Sequence, residues 1–216
     1  HVTNPKEFLM QVRKNITKDG LAVFIFPSIE EQFKRGDIGA LLHEHINYFD
    51  HKSSRFLFQK CGFNIIEFSS NNNEITILTS KESLPLRNEI VSGDNEMEKI
   101  SATFAKMLAK IKLNKEKILY YHSKGLKIGF HGACNALSNF LYLSELYKIE
   151  DFYIFDGDST KTNTYLPLSC NKILNSRSNL YKDIDVLFIS ASTFGREIFN
   201  YAKDFINPIN IINLFE

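Results

Sequence analysis

The sequence predicts an α/β chain made of two units. Two observations carry this reading. In the second half, apolar runs of strand length alternate with stretches of helical period, a βαβ pattern that implies a parallel sheet. In the first half, the unbroken apolar run LAVFIF (21–26) has strand length and follows a helical stretch and a turn. A run of that kind suits a strand buried on both faces of a parallel sheet. Composition agrees: 216 residues, 44% hydrophobic and 24% charged, are ordinary for a globular chain and enough for two small domains.

The first helix is expected over residues 5–16. Pro5 suits a first helical turn after Thr3 or Asn4 as cap, and Phe8, Leu9, Val12 and Ile16 share one face. TKDG (17–20) is a turn, and Pro27 ends the strand that follows. Residues 28–50 are expected to be mostly loop. HKSSRFLFQKCGF (51–63) reads as a helix closed by Gly62. NIIEF (64–68) and EITILT (74–79) read as strands joined by a hairpin-type connection, SSNNN. The polar stretch 81–96, with Pro85 and Gly93, marks a boundary. Met97, Ile100, Phe104, Met107, Leu108 and Ile111 then recur at three- and four-residue steps, with no Pro or Gly between Glu96 and Tyr121. That spacing predicts a long amphipathic connecting helix. Beyond it, LKIGF, DFYIFD, KDIDVLFIS (182–190) and NIINLF are strands, and CNALSNFLYLSELYKI and FGREIFNYAKDF are helices. The expected organisation is a first unit over 1–85, a connector over 86–123 and a second unit over 124–216.

Several classes are excluded. The net charge is +1 with Lys and Arg scattered, so no nucleic-acid footprint is present. The longest apolar runs fall far short of the roughly 20 residues of a membrane span. Cys61, Cys134 and Cys170 form no CxxC pair, which argues against a zinc ribbon or a disulfide framework and for a reduced, cytoplasmic protein. The chain opens on His1, directly into a helix-forming stretch, and reads as a piece whose natural start lies upstream.

LLHEHINYF (41–49) gathers His43, Glu44 and His45 ahead of Tyr48 in a chain of six histidines. Three readings stand open. His43 and His45 suit a metal pair, with Glu44, His51 or a distant residue as third ligand. They also suit a loop held by imidazole hydrogen bonds to backbone. The third reading is an acid–base centre: imidazole titrates near neutrality, and an adjacent carboxylate can orient it. In the second half, Gly129 and Gly132 follow a strand and Asp156 ends the next, an arrangement close to a dinucleotide fingerprint, although His131 takes the second glycine place. A tight strand-to-helix turn explains the same residues. Lys161 and Tyr165 are candidates to face the diphosphate or sugar of a nucleotide sugar, or to lie in a solvated loop.

These stretches carry a resemblance. HVTNPKEFLMQVRKNITKDGLAVFIFPS resembles the late part of a class I S-adenosylmethionine (SAM) methyltransferase domain. HEHINYF followed by SSRFLFQKCGFNIIEF is similar to the HEHxxYF block of the sugar C-methyltransferases. GFHGA and FDGDSTKTNTYLP resemble segments of that family's C-terminal domain. Before HEH, Leu42 stands where the family commonly has Tyr, and in the Gly-Ala turn Asn135 or Ala136 stands where it commonly has Lys.

The resemblance implies a partial class I methyltransferase sheet followed by a Rossmann-like βαβ domain, with EITILT between LAVFIF and NIIEF and antiparallel to both. It implies C-methylation of a nucleotide-linked keto-sugar, with SAM as cofactor held mostly by residues upstream of this chain. His45 is then the base that takes a carbon-bound proton, and Glu44 its partner. Tyr48 or His1 would be donors to the enolate oxygen. His1 would belong to a stretch lining the active site, although a disordered terminus is its plain alternative. His43, Gly132, Asp156, Lys161 and Tyr165 are the substrate-binding candidates, and no metal is expected. The other functions weighed are a non-catalytic nucleotide-sugar-binding or scaffolding module, and an NAD-dependent oxidoreductase domain built on 124–216.

Overall fold

The computed structural model describes residues 1–42, 44–71, 74–81 and 96–215. The chain divides into two compact units. One comprises His1–Lys34 with Leu42–Ile100, and the other Arg35–Leu41 with Ser101–Glu216. The segment 35–41 therefore leaves the first unit and packs within the second.

In the first unit, α1 (Pro5–Asn15) starts where Asn4 Oδ1 accepts from the Glu7 N–H and Pro5 takes the first turn. β1 (Leu21–Pro27), β2 (Asn64–Asn71) and β3 (Glu74–Ser80) form an antiparallel sheet of order β1-β3-β2, so the EITILT strand lies between the other two. A bulge between Ile65 and Glu67 turns Ile66 outward, to 51% exposure. Between β1 and β2 lie the short α2 (Glu30–Arg35) and α3 (His51–Lys60). Asp50 and Ser53 form a reciprocal capping box at the start of α3, and Gly62 ends its exit turn at φ +78°. Leu9 of α1, Phe58 of α3, Phe63, Ile75 and Ile77 make the core. Full burial of Ile75 and Ile77 stabilises the unit by roughly 1.5–3 kcal/mol each.

One expectation is overturned here. β1 is not buried on both faces of a parallel sheet. It is an antiparallel edge strand with alternating burial. Phe24 and Phe26 face the core, while Leu21, Val23 and Ile25 are each at least 60% exposed. A strand reads as apolar throughout when layers cover both faces, and here the core residues of α1 and α3 pack on one face of the sheet.

The second unit carries the C-terminal part of α4 (Glu96–Ser123) and five parallel strands, with α5 (Asn135–Leu143) and α6 (Gly195–Ala202) between them. The strands are β4 (Ile128–His131), β5 (Tyr153–Asp156), β6 (Ile173–Asn175), β7 (Val186–Ile189) and β8 (Ile211–Asn213), in the order β6-β5-β4-β7-β8. β4 and β7 are buried along their whole length, as central parallel strands require. From β4 the chain runs outward through β5 to β6, then crosses back to β7 on the other side. The loops after β4 and β7 therefore diverge. Open parallel sheets of this kind place ligands at such a point, beyond the carboxyl ends of the strands.

Smaller differences from expectation have local causes. The helix expected from Cys134 to Ile149 stops at Leu143 because Glu145 takes a left-handed φ of 61° and Leu146–Lys148 tighten into a 3-10 turn. β6 was not anticipated, because three residues are too few to show a period. Ile38–Ala40 forms a 3-10 turn capped by Asp37 inside the stretch expected to be loop.

Candidate functional site

The loop carrying the HEH block hangs from the end of β1. Phe49 packs edge-on against Phe26 with ring centroids 5.4 Å apart, and the Ile29 N–H donates to Phe49 O at 3.0 Å. These two contacts close the excursion between β1 and α3. Within it the chain folds tightly. The Leu42 N–H donates to the Tyr48 hydroxyl at 3.2 Å, and that hydroxyl donates to Leu42 O at 3.1 Å. The His45 N–H also reaches Leu42 O, at 3.0 Å.

The His45 ring lies edge-on to two others. Its centroid is 5.1 Å from that of His1 and 6.0 Å from that of Tyr48. Asn47 Nδ2 donates to Val2 O at 2.6 Å, which draws the opening segment onto the loop. Three of the four candidate catalytic residues, His1, His45 and Tyr48, are therefore brought together. Glu44, the fourth, lies in a turn and is exposed. The Tyr48 hydroxyl is engaged by Leu42, so its geometry serves the loop. The exposed His1 ring meets that of His45 edge-on. His43 lies outside the described residues. Among the described residues, no group of three or more His, Cys, Asp or Glu side chains comes together as metal ligands.

Three of the substrate-binding candidates meet at the end of β4. Gly132 sits at φ +111°, and a Cβ there would stand 2.6 Å from Ala191 Cβ and 2.8 Å from Ala191 N. The Ser190 hydroxyl donates to Gly132 O at 2.7 Å, and the Gly132 N–H to Phe155 O at 2.8 Å. Asp156, nearly buried, accepts through Oδ2 from the Ala133 N–H at 2.8 Å and from Lys161 Nζ at 3.0 Å. Its Oδ1 accepts from the Asp158 N–H at 2.9 Å. Lys161 Nζ also donates to Ala133 O. The carboxylate that would face a ribose in a dinucleotide site is thus tied to the turn beside it. Tyr165 stands apart, exposed, bridged to Lys172 in a short antiparallel contact.

Next to this turn the core holds a polar pair that sequence reading did not single out. His131 Nδ1 lies 2.7 Å from the Tyr181 hydroxyl, and both residues are buried. Burial pushes the His131 imidazole down to about 4, with the nearby Asp156 carboxylate pulling the other way. Burial raises the Tyr181 phenol as well. Cys134, which precedes α5, sends its thiol toward Ser190 O at 3.4 Å, and burial raises its pKa. Cys61, Cys134 and Cys170 are all free thiols.

The packing of segment 35–41 was also missed by sequence reading. Asp37 is 1% exposed; its Oδ1 accepts from the Gly39 N–H at 2.8 Å and its Oδ2 from the Ser192 hydroxyl at 2.9 Å. Asp-Ile-Gly is a local signal for such a turn, but its partners Asn139 and Ser192 lie 101 and 155 positions later.

No helix among the described residues is long and apolar enough to cross a membrane. No protein-family model and no curated protein matches this sequence.

Proposed function

We propose that this chain is the C-terminal portion of a SAM-dependent C-methyltransferase that acts on a nucleotide-linked keto-sugar, with His45 as the base. The observation that carries the proposal is the convergence of the His45, His1 and Tyr48 rings at the end of β1, in a loop tied to Val2. The antiparallel order β1-β3-β2 supports it, since the end of a class I methyltransferase sheet has this order. The order β6-β5-β4-β7-β8 supports a Rossmann-like second unit, with a crevice beyond β4 and β7. A soluble protein acting on a small-molecule substrate in the cytoplasm is the setting that fits this reading.

The chemistry asked of this chain is deprotonation. A carbon beside a keto group would lose a proton to His45 Nε2 or Nδ1, and the electron pair would move into the enolate. Among the described residues, the connection after β1 runs through Ser28 and Ile29 into the short α2 and presents no glycine-rich strand-to-helix turn. That connection does not make a site for SAM, and the chemistry assigned to this chain is that of its own side chains.

The test is His45→Gln in the protein that contains this chain. Gln keeps a polar group of similar reach and cannot accept the proton. The kcat is expected to fall by about two to four orders of magnitude, the usual worth of a general base. Exchange of the substrate's carbon-bound proton in D₂O, followed by NMR without the methyl donor, is expected to stop. Exchange at the wild-type rate in the variant would remove His45 from the role.

A further inference from the structure

The turn after β4 is where an open parallel sheet can cradle a phosphate, because backbone N–H groups there can point at an anion. In this chain each N–H of residues 132–134 has a partner within the second unit. Gly132 donates to Phe155 O at 2.8 Å, Cys134 to Gly132 O at 3.0 Å, and Ala133 to Asp156 Oδ2 at 2.8 Å. The glycine that would let a diphosphate approach is taken up as well: the side of Gly132 where a Cβ would stand lies against Ala191. His131, in the second glycine place, turns its ring into the core toward Tyr181.

The Asp156 carboxylate is held as a bound anion would be. It ends β5, and three donors converge on it: the Ala133 N–H and Lys161 Nζ on Oδ2, and the Asp158 N–H on Oδ1 at 2.9 Å. Asp158 caps the 3-10 turn Ser159–Lys161, which brings Lys161 back to Asp156. The Lys161 ammonium also donates to Ala133 O at 3.2 Å. Two backbone N–H groups and a lysine are a donor set that suits a phosphate equally well. A phosphate entering here would meet a negative charge already in place and would have to displace it.

We infer that Asp156 is an internal anion that fills the phosphate cradle of the second unit, so that no dinucleotide or nucleoside diphosphate is held at the turn after β4. In a dinucleotide site the acidic residue that follows the next strand faces ribose hydroxyls, which leaves the turn free for the pyrophosphate. Here that side chain closes the turn instead. The inference weighs against an NAD-dependent oxidoreductase built on this unit. It also assigns the diphosphate of a nucleotide-linked substrate to some other surface. It does not depend on the role of His45.

The experiment is an NMR titration of the full chain with ADP, read at the Ala133 and Asp158 amides. In the wild-type protein both signals are expected to stay in place up to millimolar ADP. A saturable shift at either amide, with ADP or with NADH, would overturn the inference. Asp156→Ala removes the carboxylate and frees both N–H groups and Lys161. ADP is then expected to shift both amides saturably, at least about tenfold more tightly than the limit set by the wild type, as removal of one like charge at contact distance implies. A folded Asp156→Ala protein whose two amides ignore ADP also overturns the inference, since the carboxylate would not be what keeps the ligand out. Where Asp156→Ala fails to fold, Asp156→Asn keeps the size and removes the charge, and the same two outcomes are read at the Asp158 amide.

Discussion

The Tyr181 hydroxyl and His131 Nδ1 lie 2.7 Å apart in the core of the second unit, with their rings nearly perpendicular. Phe155, Ile184 and Ile189 belong to the same core as Tyr181, and Tyr201 packs edge-on to the His131 ring. An imidazole in that setting is held neutral, because charging it would place a cation among apolar side chains.

This sets a pH dependence of stability. The folded-state value of His131 is about 4, below the unfolded value of 6.5. Between the two, the unfolded chain binds more protons, so acid favours unfolding. The contribution is complete above pH 6.5, is lost as pH falls toward 4, and changes no further below that. Its ceiling is about 3 kcal/mol, at 1.36 kcal/mol per pKa unit. Urea unfolding between pH 7.5 and 4 measures it, and His131→Leu is expected to flatten the dependence over that interval.

Tyr181→Phe removes the hydroxyl and leaves His131 Nδ1 buried without that partner. The expected cost is about 1–3 kcal/mol, the range for a buried polar group left unsatisfied. A loss well below that in thermal or urea unfolding would show that the ring finds another partner.

Gly132 is a site where any side chain meets both conformational and steric resistance. Gly132→Ala is expected to destabilise by about 2–4 kcal/mol, from left-handed backbone strain and from the approach to Ala191. Gly157→Ala is the control: a Cβ there meets only Ser176 Oγ, at 3.9 Å. Near-equal melting temperatures for the two variants would contradict the geometry.

β1 presents an open edge and an apolar face through Leu21, Val23 and Ile25. Such a strand is a template for intermolecular pairing. Val23→Lys is expected to reduce concentration-dependent light scattering while changing unfolding free energy by about 0.5 kcal/mol or less, as for an exposed position. An unchanged scattering onset would remove β1 as the source of self-association.

Tyr48→Phe tests whether that hydroxyl orders the loop. It breaks both contacts with Leu42, so the Leu42 and His45 amides are expected to exchange faster with little change in the global melting temperature. If those amides are unaffected and substrate turnover alone falls, the hydroxyl acts on substrate instead.

Local signals made much of this molecule legible. Asn4 and Pro5 mark the start of α1, Gly62 marks the exit from α3, and the alternation of apolar runs with helical periods announced the parallel sheet of the second unit. Each depends on residues within a few positions of one another, where capping, φ preference and side-chain period act directly. The HEH block likewise drew notice by composition alone. Three things were decided only by tertiary structure. LAVFIF looked buried on both sides because an apolar run cannot report how many layers cover it, and the sheet's packing left one face open. His131 looked like a glycine-position substitute in a nucleotide loop, yet it points into the core, where Tyr181, 50 positions away, meets it. The segment 35–41 is the furthest case. Asp37 and Leu41 announce at most a local turn, and their partners Ser192 and Asn139 lie 155 and 98 positions further on. Periodicity and capping chemistry act over a few residues, whereas those hydrogen bonds exist only once the parallel sheet has carried the ends of β4 and β7 to the same place.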